Sequence, residues 1–194
     1  MIASIQGTVE ARGPDFVVIN VGGIGLRVFA PVSTLSSVGE PGSKVRLDTH
    51  LYFKEDTIAL YGFLNQEELR LFQMLLDVAG MGPRTALSAL SVMSAPALAT
   101  AIVSDDVDSL KRIPGVGGKT AARMALELKG KLGKDPVVMT GLTLSSLGGD
   151  AVAALAALGY GQAEARAALG AVEDLESLSV EEQIRRALQH IAGA

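Results

Sequence analysis

The sequence contains one short motif twice, and this repeat constrains the fold more than any other feature. Residues 80–86 have the sequence GMGPRTA, and residues 115–121, 35 positions later, have the sequence GVGGKTA. An apolar residue precedes each copy at the same distance, Val78 in the first and Ile113 in the second. Each copy predicts a helix, a glycine–apolar–glycine turn, and a second helix with a cation in its first turn.

Such a turn is suited to binding phosphate through its backbone. Glycine adopts positive φ angles at little cost, which lets the backbone turn tightly and approach a ligand closely. The first N–H groups of a helix have no partner within the helix and lie at the positive end of its dipole, so anions bind there. Pro83 suits the first turn of a helix, and Arg84 and Lys119 add positive charge at the same place in each copy.

Nothing in the motif is suited to contact base edges, so we expect DNA binding that is independent of sequence. Two copies in tandem suggest that both strands of one duplex are contacted. The alternative is a pair of glycine-rich helix–helix turns that bind no ligand.

Two nucleotide-binding motifs resemble the repeat and are excluded. The phosphate-binding loop GxxxxGK[ST] requires a glycine at position 113, where this chain has Ile113, and a preceding strand, where residues 108–112 favour a helix. The dinucleotide-binding pattern GxGxxG fails in both copies, at Thr85 and at Thr120.

Composition limits the other kinds of site. Of the 194 residues 48% are hydrophobic, none is cysteine, and the two histidines, His50 and His190, lie far apart in sequence. Disulfides and thiolate metal sites are therefore excluded, and neither a histidine-based catalytic cluster nor a metal or cofactor is expected. The N-terminus lacks the pattern of a signal peptide and no apolar run has the length of a membrane span, which predicts a soluble cytoplasmic protein.

The net charge of −4 is unevenly distributed along the chain. Residues 1–63 carry 5 basic and 6 acidic side chains, residues 64–132 carry 8 and 7, and residues 133–194 carry 4 and 8. The segment that contains the repeat is the only one with a net positive charge, so the overall acidity does not exclude DNA binding.

The expected fold class is α+β with several domains, of which residues 1–63 form the first. This segment contains five β-rich runs separated by turn residues. The runs are residues 2–10, 16–21, 26–30, 45–53 and 57–63. With a short helix over residues 31–38, they favour a five-stranded OB-type β-barrel.

Residues 64–132 predict an all-α domain with tandem helix-hairpin-helix motifs. Asn65 and Glu68 form a capping box at its start. Further helices are expected over residues 83–93, 95–103, 105–112 and 118–132. Ser104 is expected to cap the helix over 105–112, with Asp105 and Asp106 in its first turn. We expect the two repeats to pack as one unit related by a pseudo-twofold axis.

The remainder of the chain predicts a linker and a small helical domain. Glycine, serine and proline interrupt any periodicity in residues 133–149, which favours a flexible linker. Residues 150–194 predict a three-helix bundle. Its helices are expected over residues 150–158, over residues 162–169, and from the Ser179–Glu182 capping box to residue 191. A bundle with so thin a core is more typical of a partner-docking module than of an enzyme.

The order of these segments, together with several short motifs, resembles the RuvA family. The motifs are residues 1–2, 21–25, 55–56, 60–63 and 153–160 and both glycine turns. The resemblance covers the whole chain and implies a non-catalytic subunit that binds Holliday junctions for branch migration in recombination and DNA repair. It implies a homotetramer that holds a four-way junction open and flat, alone or as two tetramers, an octamer, around the DNA. It also implies that the C-terminal domain recruits the hexameric ATPase RuvB and that the resolvase RuvC belongs to the same complex.

The resemblance assigns roles to particular residues. Glu55 and Asp56, between the last two strands, match the family's acidic pin, which helps to part the DNA strands; the residues alone suggest a solvated turn. The phosphate contacts carry over to Gly80, Gly82, Arg84, Gly115, Gly117, Gly118, Lys119 and Arg123. Family members often have lysine where this chain has Gly118, so that grip is expected to be weaker unless Lys119 compensates. For Arg123 the alternative is an ion pair with Glu127 on the helix surface.

Three apolar residues of the C-terminal segment are candidates for the surface that docks RuvB. They are Leu155, Leu158 and Tyr160. Ordinary core packing is an equal alternative for Leu155. Tyr160 follows a helix-ending glycine and is expected to be an exposed apolar contact.

Two other functions compete with this interpretation. A helix-hairpin-helix DNA repair enzyme, either a glycosylase or a nuclease, would need a base-flipping pocket with a catalytic carboxylate or a carboxylate cluster for metal ions. No such cluster stands out in the sequence. A single-strand-binding protein would stack bases on aromatic side chains, which make up only 4% of this chain.

Overall fold

A computed structural model describes most of the chain. The described residues are 2–54, 57–135, 151–152, 154–172, 175 and 178–192. Their contacts divide the chain into two compact units, Met1–Val138 and Met139–Ala194, and each unit is described by itself. Glu55 and Asp56 and residues 136–149 of the expected linker lie outside the described residues.

The N-terminal part of the first unit is a closed five-stranded barrel. Its strands are β1 (Ser4–Arg12), β2 (Phe16–Val21), β3 (Ile24–Phe29), β4 (Lys44–Lys54) and β5 (Thr57–Phe63). Their order around the barrel is β1-β2-β3-β5-β4, and all neighbours are antiparallel except β3 and β5. Helix α1 (Val32–Ser37) connects β3 to β4. The predicted OB-type barrel is therefore confirmed.

Three strands differ from the predicted bounds: β4 is longer by one residue at each end, and β1 and β3 differ by up to two residues because of the turns beside them. β3 begins two residues earlier than predicted, since Gly22 and Gly23, with φ angles of 62° and 92°, complete the β2–β3 turn and leave Ile24 free to pair with Val21. β1 continues to Arg12, which pairs with Val17 across the next turn.

The barrel core is built from alternate residues of the strands, since side chains of a strand point in turn to opposite faces. Val17, Ile19, Val28 and Leu47 are completely buried in it. Leu35 of α1 joins the same cluster, so α1 covers part of the core.

The second part of the first unit is helical and confirms the tandem helix-hairpin-helix prediction. Its helices are α2 (Gln66–Leu76), α3 (Pro83–Val92), α4 (Ala95–Val103), α5 (Val107–Leu110) and α6 (Gly118–Leu132). The predicted cap of α2 is present, because the Oδ1 atom of Asn65 accepts a hydrogen bond from the N–H of Glu68 at 2.8 Å.

An aromatic contact joins the helices to the barrel. The ring centroid of Phe72 on α2 lies 5.0 Å from the centroids of Tyr61 and Phe63 on β5 and 5.8 Å from that of His50 on β4. Phe63 and Phe72 are completely buried. This contact fixes where the barrel and the helices meet.

The start of α5 differs from the prediction, and Ser104 does not cap it. Ser104 ends α4 instead. Asp105 has a φ angle of 57°, and the N–H of Asp106 donates to the carbonyl of Ala101 at 2.9 Å, as in a Schellman motif. Asp106 is the cap of α5, and its side chain accepts from the N–H of Ser109 at 3.0 Å. Aspartate tolerates the left-handed conformation better than most residues, so the chain reverses at Asp105 and the helix begins two residues later than predicted.

The second unit contains a helical domain, as predicted. Residues 151–152 and 154–157 are helical, and α7 (Gln162–Gly170) and α8 (Val180–Ala192) follow. The Oγ atom of Ser179 accepts from the N–H of Glu182 at 3.4 Å, which confirms the predicted cap. The buried core is small and rich in alanine. Asp150, the predicted first residue of the bundle, lies outside the described residues.

Among the helices that the structure describes, none is by itself long and apolar enough to cross a membrane. Only α3 and α4 taken together reach that length and composition, and a bend of 102° separates them.

Candidate nucleic-acid interface

The two glycine turns have the same backbone geometry. Gly80 and Gly115 have φ angles of 91° and 86°, in the region that favours glycine. Gly82 and Gly117, two residues later, have φ and ψ angles of −92° and 170° and of −88° and 172°. The repeat seen in the sequence is therefore also a repeat of backbone conformation.

Buried apolar side chains hold each turn in place from the inside. Val78 and Ile113 lie before the two turns, and Met81 and Val116 lie within them, and all four are buried. The N–H of Met81 donates to the carbonyl of Val78 at 3.0 Å, and the N–H of Val116 donates to the carbonyl of Ile113 at the same distance. The apolar residues point into the protein, so the glycines between them form the exposed edge of each turn.

The helices that follow the turns begin without a side-chain cap. Their N-caps are Gly82 for α3 and Gly117 for α6, and neither helix has a side chain that accepts from its first N–H groups. In contrast, Asn65, Ser94 and Asp106 cap α2, α4 and α5 through side-chain oxygens. The first N–H groups of α3 and α6 are thus open to an acceptor from outside the protein, and they lie at the positive ends of the helix dipoles.

Glycine at positions 82 and 117 is not required by the fold. The backbone of both residues is extended, a conformation that any residue adopts. A Cβ atom added to either residue would meet no atom within 4 Å. Neither strain nor packing accounts for these glycines, and without a side chain they leave the backbone at each helix start accessible to a ligand.

The free positive charge of the helical part is concentrated at the turns. Residues 64–132, all of them described, carry eight cations. Five of these form ion pairs with acidic residues, namely Arg70, Lys111, Arg123, Lys129 and Lys131. Three have no ion pair to a described residue: Arg84 and Lys119, in the first turns of α3 and α6, and Arg112, shortly before the second glycine turn. All three are exposed.

Arg112 is a candidate that the sequence analysis missed. The corresponding position of the first copy holds Asp77, which pairs with Lys131 at 2.9 Å, so the repeat gave no reason to single out position 112. The signal in the sequence is its place directly before Ile113, the buried residue that anchors the second turn.

Arg123 links the two turns to each other. Its Nη1 atom donates to the carbonyl of Ala79 at 3.0 Å, and its Nε atom lies 3.6 Å from the Oε1 atom of Glu127. The pairing with Glu127 that the sequence left as an alternative is therefore present. A Cβ atom on Gly115 would lie 3.4 Å from the Oγ1 atom of Thr85, so the second turn lies against the start of α3.

Gly118 is the first residue of α6 and is exposed. A Cβ atom added here would lie 3.8 Å from the Cδ atom of Lys111, an ordinary van der Waals distance. The Cβ atom of the lysine that the RuvA resemblance leads us to expect at this position would thus fit without displacing any neighbour.

The three candidates for the docking surface have different environments. Leu155 is completely buried in the core of the second unit, so core packing, the alternative left open, holds for its side chain. Leu158 is 62% exposed. Tyr160 is half-buried against the same core, not exposed as predicted. Gly159 has a φ angle of 100° and the N–H of Tyr160 donates to the carbonyl of Leu155 at 3.1 Å, a Schellman motif that brings Tyr160 onto the preceding turn.

In the parts of the chain that the structure describes, no group of three or more histidine, aspartate or glutamate side chains could hold a metal ion.

The barrel, the two matched turns and the uncapped helices together define a protein of the tandem helix-hairpin-helix class. Comparison with known families agrees with this, since the family model described as "SAM-like Helix-hairpin-helix tandem" matches residues 72–131. The models described as "RuvA N terminal domain" and "RuvA, C-terminal domain" match residues 1–62 and 146–192.

Individual proteins that are similar along the whole chain identify its family. It is 43% identical over 190 residues to the Holliday junction branch migration complex subunit RuvA of Dehalococcoides mccartyi, an alignment that covers 98% of each chain. Proteins of the same name from Symbiobacterium thermophilum and Herpetosiphon aurantiacus are 44% and 42% identical, with 98% and 100% of both chains covered. The chain belongs to the RuvA family.

Proposed function

We propose that this chain is a non-catalytic subunit that binds four-way DNA junctions independently of sequence and holds them open for branch migration. The observation that carries the proposal is the pair of glycines at the helix starts, Gly82 and Gly117, which neither the backbone nor the packing of the protein requires. The names of the relatives, each a subunit of a Holliday junction branch migration complex, support it.

Each turn would bind one phosphate group of the DNA backbone. The open N–H groups at the start of α3 or α6 donate to phosphate oxygens, and Arg84 or Lys119 supplies charge at the same point. The glycine next to these groups lets the phosphate approach within hydrogen-bond distance. The proposed set of phosphate contacts also includes Gly80, Gly115, Gly118 and Arg123. Arg112, which only the structure indicated, is added to this set. Contacts of this kind position a protein on DNA without selecting bases.

The two turns of one subunit lie side by side, since Arg123 bonds to the carbonyl of Ala79 and Gly115 lies close to Thr85. They would contact the two strands of one duplex arm. Four copies would then serve the four arms of a junction, which is why we propose a homotetramer, with one or two tetramers on the DNA. Glu55 and Asp56 would act as the acidic pin, because carboxylates near the crossover repel phosphates.

The C-terminal unit would recruit the ATPase RuvB, whose hydrolysis of ATP drives branch migration, in a cytoplasmic complex that also contains RuvC. Leu158 is the exposed apolar residue among the three candidates and is the main contact residue of the proposed docking surface, with Tyr160 at its edge. Leu155 would support this surface from the core.

A gel shift tests the junction-binding proposal directly. The purified protein is titrated against a four-way junction and against a linear duplex of equal length, and its mass is measured in solution. We expect tight binding of the junction, weaker binding of the duplex and the mass of a tetramer. A monomer that binds both DNAs equally would refute the proposal, and cleavage or base release by the pure protein would favour the repair-enzyme alternative.

Removal of the C-terminal unit tests the recruitment proposal. A chain that ends after residue 140 retains the first compact unit with both turns. We expect it to bind the junction like the full chain and to lose all stimulation of RuvB-driven branch migration. Stimulation that survives the truncation would show that RuvB docks elsewhere.

A further inference from the structure

The chain has eight aromatic side chains, all within described residues. Seven are buried or half-buried. Phe53, near the end of β4, is 73% exposed, and it forms no ring contact with a described aromatic side chain. An exposed phenylalanine in a chain that shields its other aromatic rings needs an explanation outside the barrel.

Phe53 lies on a two-stranded ribbon that extends beyond the barrel. β4 pairs with β1 only as far as Asp48, and β5 pairs with β3 only at Leu60 and Tyr61. Thr49 still donates its N–H to the carbonyl of Ala3 at 2.8 Å. From Tyr52 and Ala59 outward, β4 and β5 pair only with each other among the described residues, and Phe53 lies directly opposite Ile58.

The exposed pair continues the inner row of the barrel. Side chains of one strand face the same way at every second residue, so Leu47, Leu51 and Phe53 share a face of β4. Leu47 is in the barrel core and Leu51 packs against it. The row then leaves the barrel and ends in Phe53 and Ile58, which are 73% and 72% exposed.

The chemistry of this patch fits a nucleic-acid base. Proteins bind unpaired bases by stacking them on exposed aromatic faces within positively charged surfaces. Exposed Lys54, the next residue, lies on the opposite face of the ribbon and forms no ion pair with a described residue. Two side chains are far too few for a specific protein interface, which buries on the order of 1,200–2,000 Å². They match the flat face of a single base.

We propose that Phe53, backed by Ile58, stacks on an unpaired base at the crossover of a four-way junction. The inference rests on the proposed function, in which the residues between Lys54 and Thr57 reach the crossover. Apolar side chains that insert at base steps unstack DNA and hold it deformed. Phe53 would hold a base that has left its pair while the phosphates are kept apart.

Photochemical crosslinking tests this contact. One four-way junction carries 5-iododeoxyuridine at a crossover position and a second carries it in the middle of an arm. Each is bound by the full-length protein, irradiated with long-wave ultraviolet light and digested, and the crosslinked peptide is identified by mass spectrometry. We expect a crosslink at Phe53 with the crossover junction and none there with the arm-labelled junction.

Variants separate this contact from general binding. Phe53→Ala should lose the crosslink and still shift the junction in a gel, because phosphate contacts provide most of the affinity. Phe53→Tyr should retain the crosslink. Ile24→Ala is the matched control, since Ile24 is 65% exposed at the β2–β3 turn, and it should retain both the crosslink and the gel shift.

The possible failures are distinguishable. A wild-type junction complex without a crosslink at Phe53 overturns this inference and leaves junction binding standing. Failure to form any junction complex overturns both. If Phe53→Ala lowers the mass of the protein in solution, Phe53 is a subunit contact and the stacking inference is wrong.

Discussion

Replacing Gly82 and Gly117 by alanine adds one methyl group to each turn and leaves the charge of the protein unchanged. Each methyl group would point into space with no protein atom within 4 Å. Both residues are N-caps with extended backbone, so alanine adopts the native conformation without strain. The double variant therefore changes the surface that a phosphate would touch and little else.

The expected effect on stability is close to zero. Alanine is a poorer N-cap than glycine, which lowers the free energy of unfolding by about 0.5 kcal/mol per site. Alanine also restricts the unfolded chain more than glycine, which raises the free energy of unfolding by about 0.4–1 kcal/mol per site. The two effects have opposite sign and similar size, so the urea midpoint should remain close to that of the wild type.

The expected effect on binding is large. If each methyl group prevents one hydrogen bond from a backbone N–H to a phosphate oxygen, the loss is about 1.5–3 kcal/mol per turn, the value for hydrogen bonds to charged groups. Since about 1.4 kcal/mol corresponds to a factor of ten, each substitution should weaken junction binding by at least about tenfold. The losses multiply when several copies bind one junction.

Fluorescence anisotropy with a labelled four-way junction measures this effect, and Gly130→Ala is the matched control. Gly130 lies on the exposed face of α6, and a Cβ atom there also meets no atom within 4 Å. Its replacement should stabilise the helix by about 0.5–1 kcal/mol and leave affinity unchanged. The reasoning is refuted if the double variant binds the junction as tightly as the wild type. The reasoning is also refuted if the urea midpoint of the double variant falls well below that of the wild type.

Three further predictions concern charge. Lys119→Ala should reduce the slope of log affinity against log salt by about 0.9 for each phosphate that the protein no longer neutralises. Lys131→Ala, which removes a paired cation at the far end of α6, should leave this slope unchanged. Equal slopes for the two variants would contradict the role of Lys119 as a phosphate contact. The double variant with Glu55→Lys and Asp56→Lys should bind the junction as tightly as the wild type or more tightly, and it should slow RuvB-driven branch migration. Branch migration at the normal rate would contradict the role of these residues as an acidic pin. Burial lowers the pKa of His50 below 6.5, so the unfolded chain binds this proton more tightly and the free energy of unfolding falls as the pH drops below about 6.5. His50→Gln should lose less stability in urea titrations between about pH 7.5 and 5.5, and an equal loss would contradict this.

The sequence predicted the elements whose boundaries depend on local signals. α4 and α6 have the predicted bounds, residues 95–103 and 118–132. Ser94 caps α4 with a proline in its first turn, and Gly117 and Gly133 flank α6. Each signal acts through the backbone of its own segment, so no knowledge of the tertiary structure was needed.

Some differences from the prediction arise where one segment packs on another, whereas the start of α5 differs because of the local reversal at Asp105. Tyr160 was expected on the surface, but the Schellman hydrogen bond to Leu155 turns its ring toward the core. The cap predicted from Asn65 and Glu68 is present, but the sequence did not indicate that the carboxylate of Glu68 also accepts from the hydroxyls of Ser33 and Thr34 at 3.3 and 3.5 Å and so links α2 to α1. A single sequence shows which residues can bond but not which neighbour the fold brings within reach.

The candidate site was predictable in its backbone but not in its electrostatics. The repeat indicated both turns, and Arg84 and Lys119 were found from matching positions. Whether a cation is free depends on acidic residues far away in sequence, such as Asp105, which pairs with Lys129. Only the structure showed that the ion pairs leave the cations at the turns unpaired and that Arg112 is one of them.

The two turns are alike in conformation but unequal in charge, and this inequality bears on how they would bind. The first turn has one cation without a salt bridge to a described residue, Arg84, whereas the second has two, Lys119 and Arg112, although Arg112 also interacts electrostatically with Asp106. Electrostatic attraction to phosphate should therefore be stronger at the second turn. Arg123 extends from α6 to the carbonyl of Ala79 and joins the weaker turn to the stronger one. A duplex that is bound by the second turn would already lie at a fixed distance from the first turn. The first turn can therefore bind the duplex with fewer charges, because the positions of the two turns are preorganised.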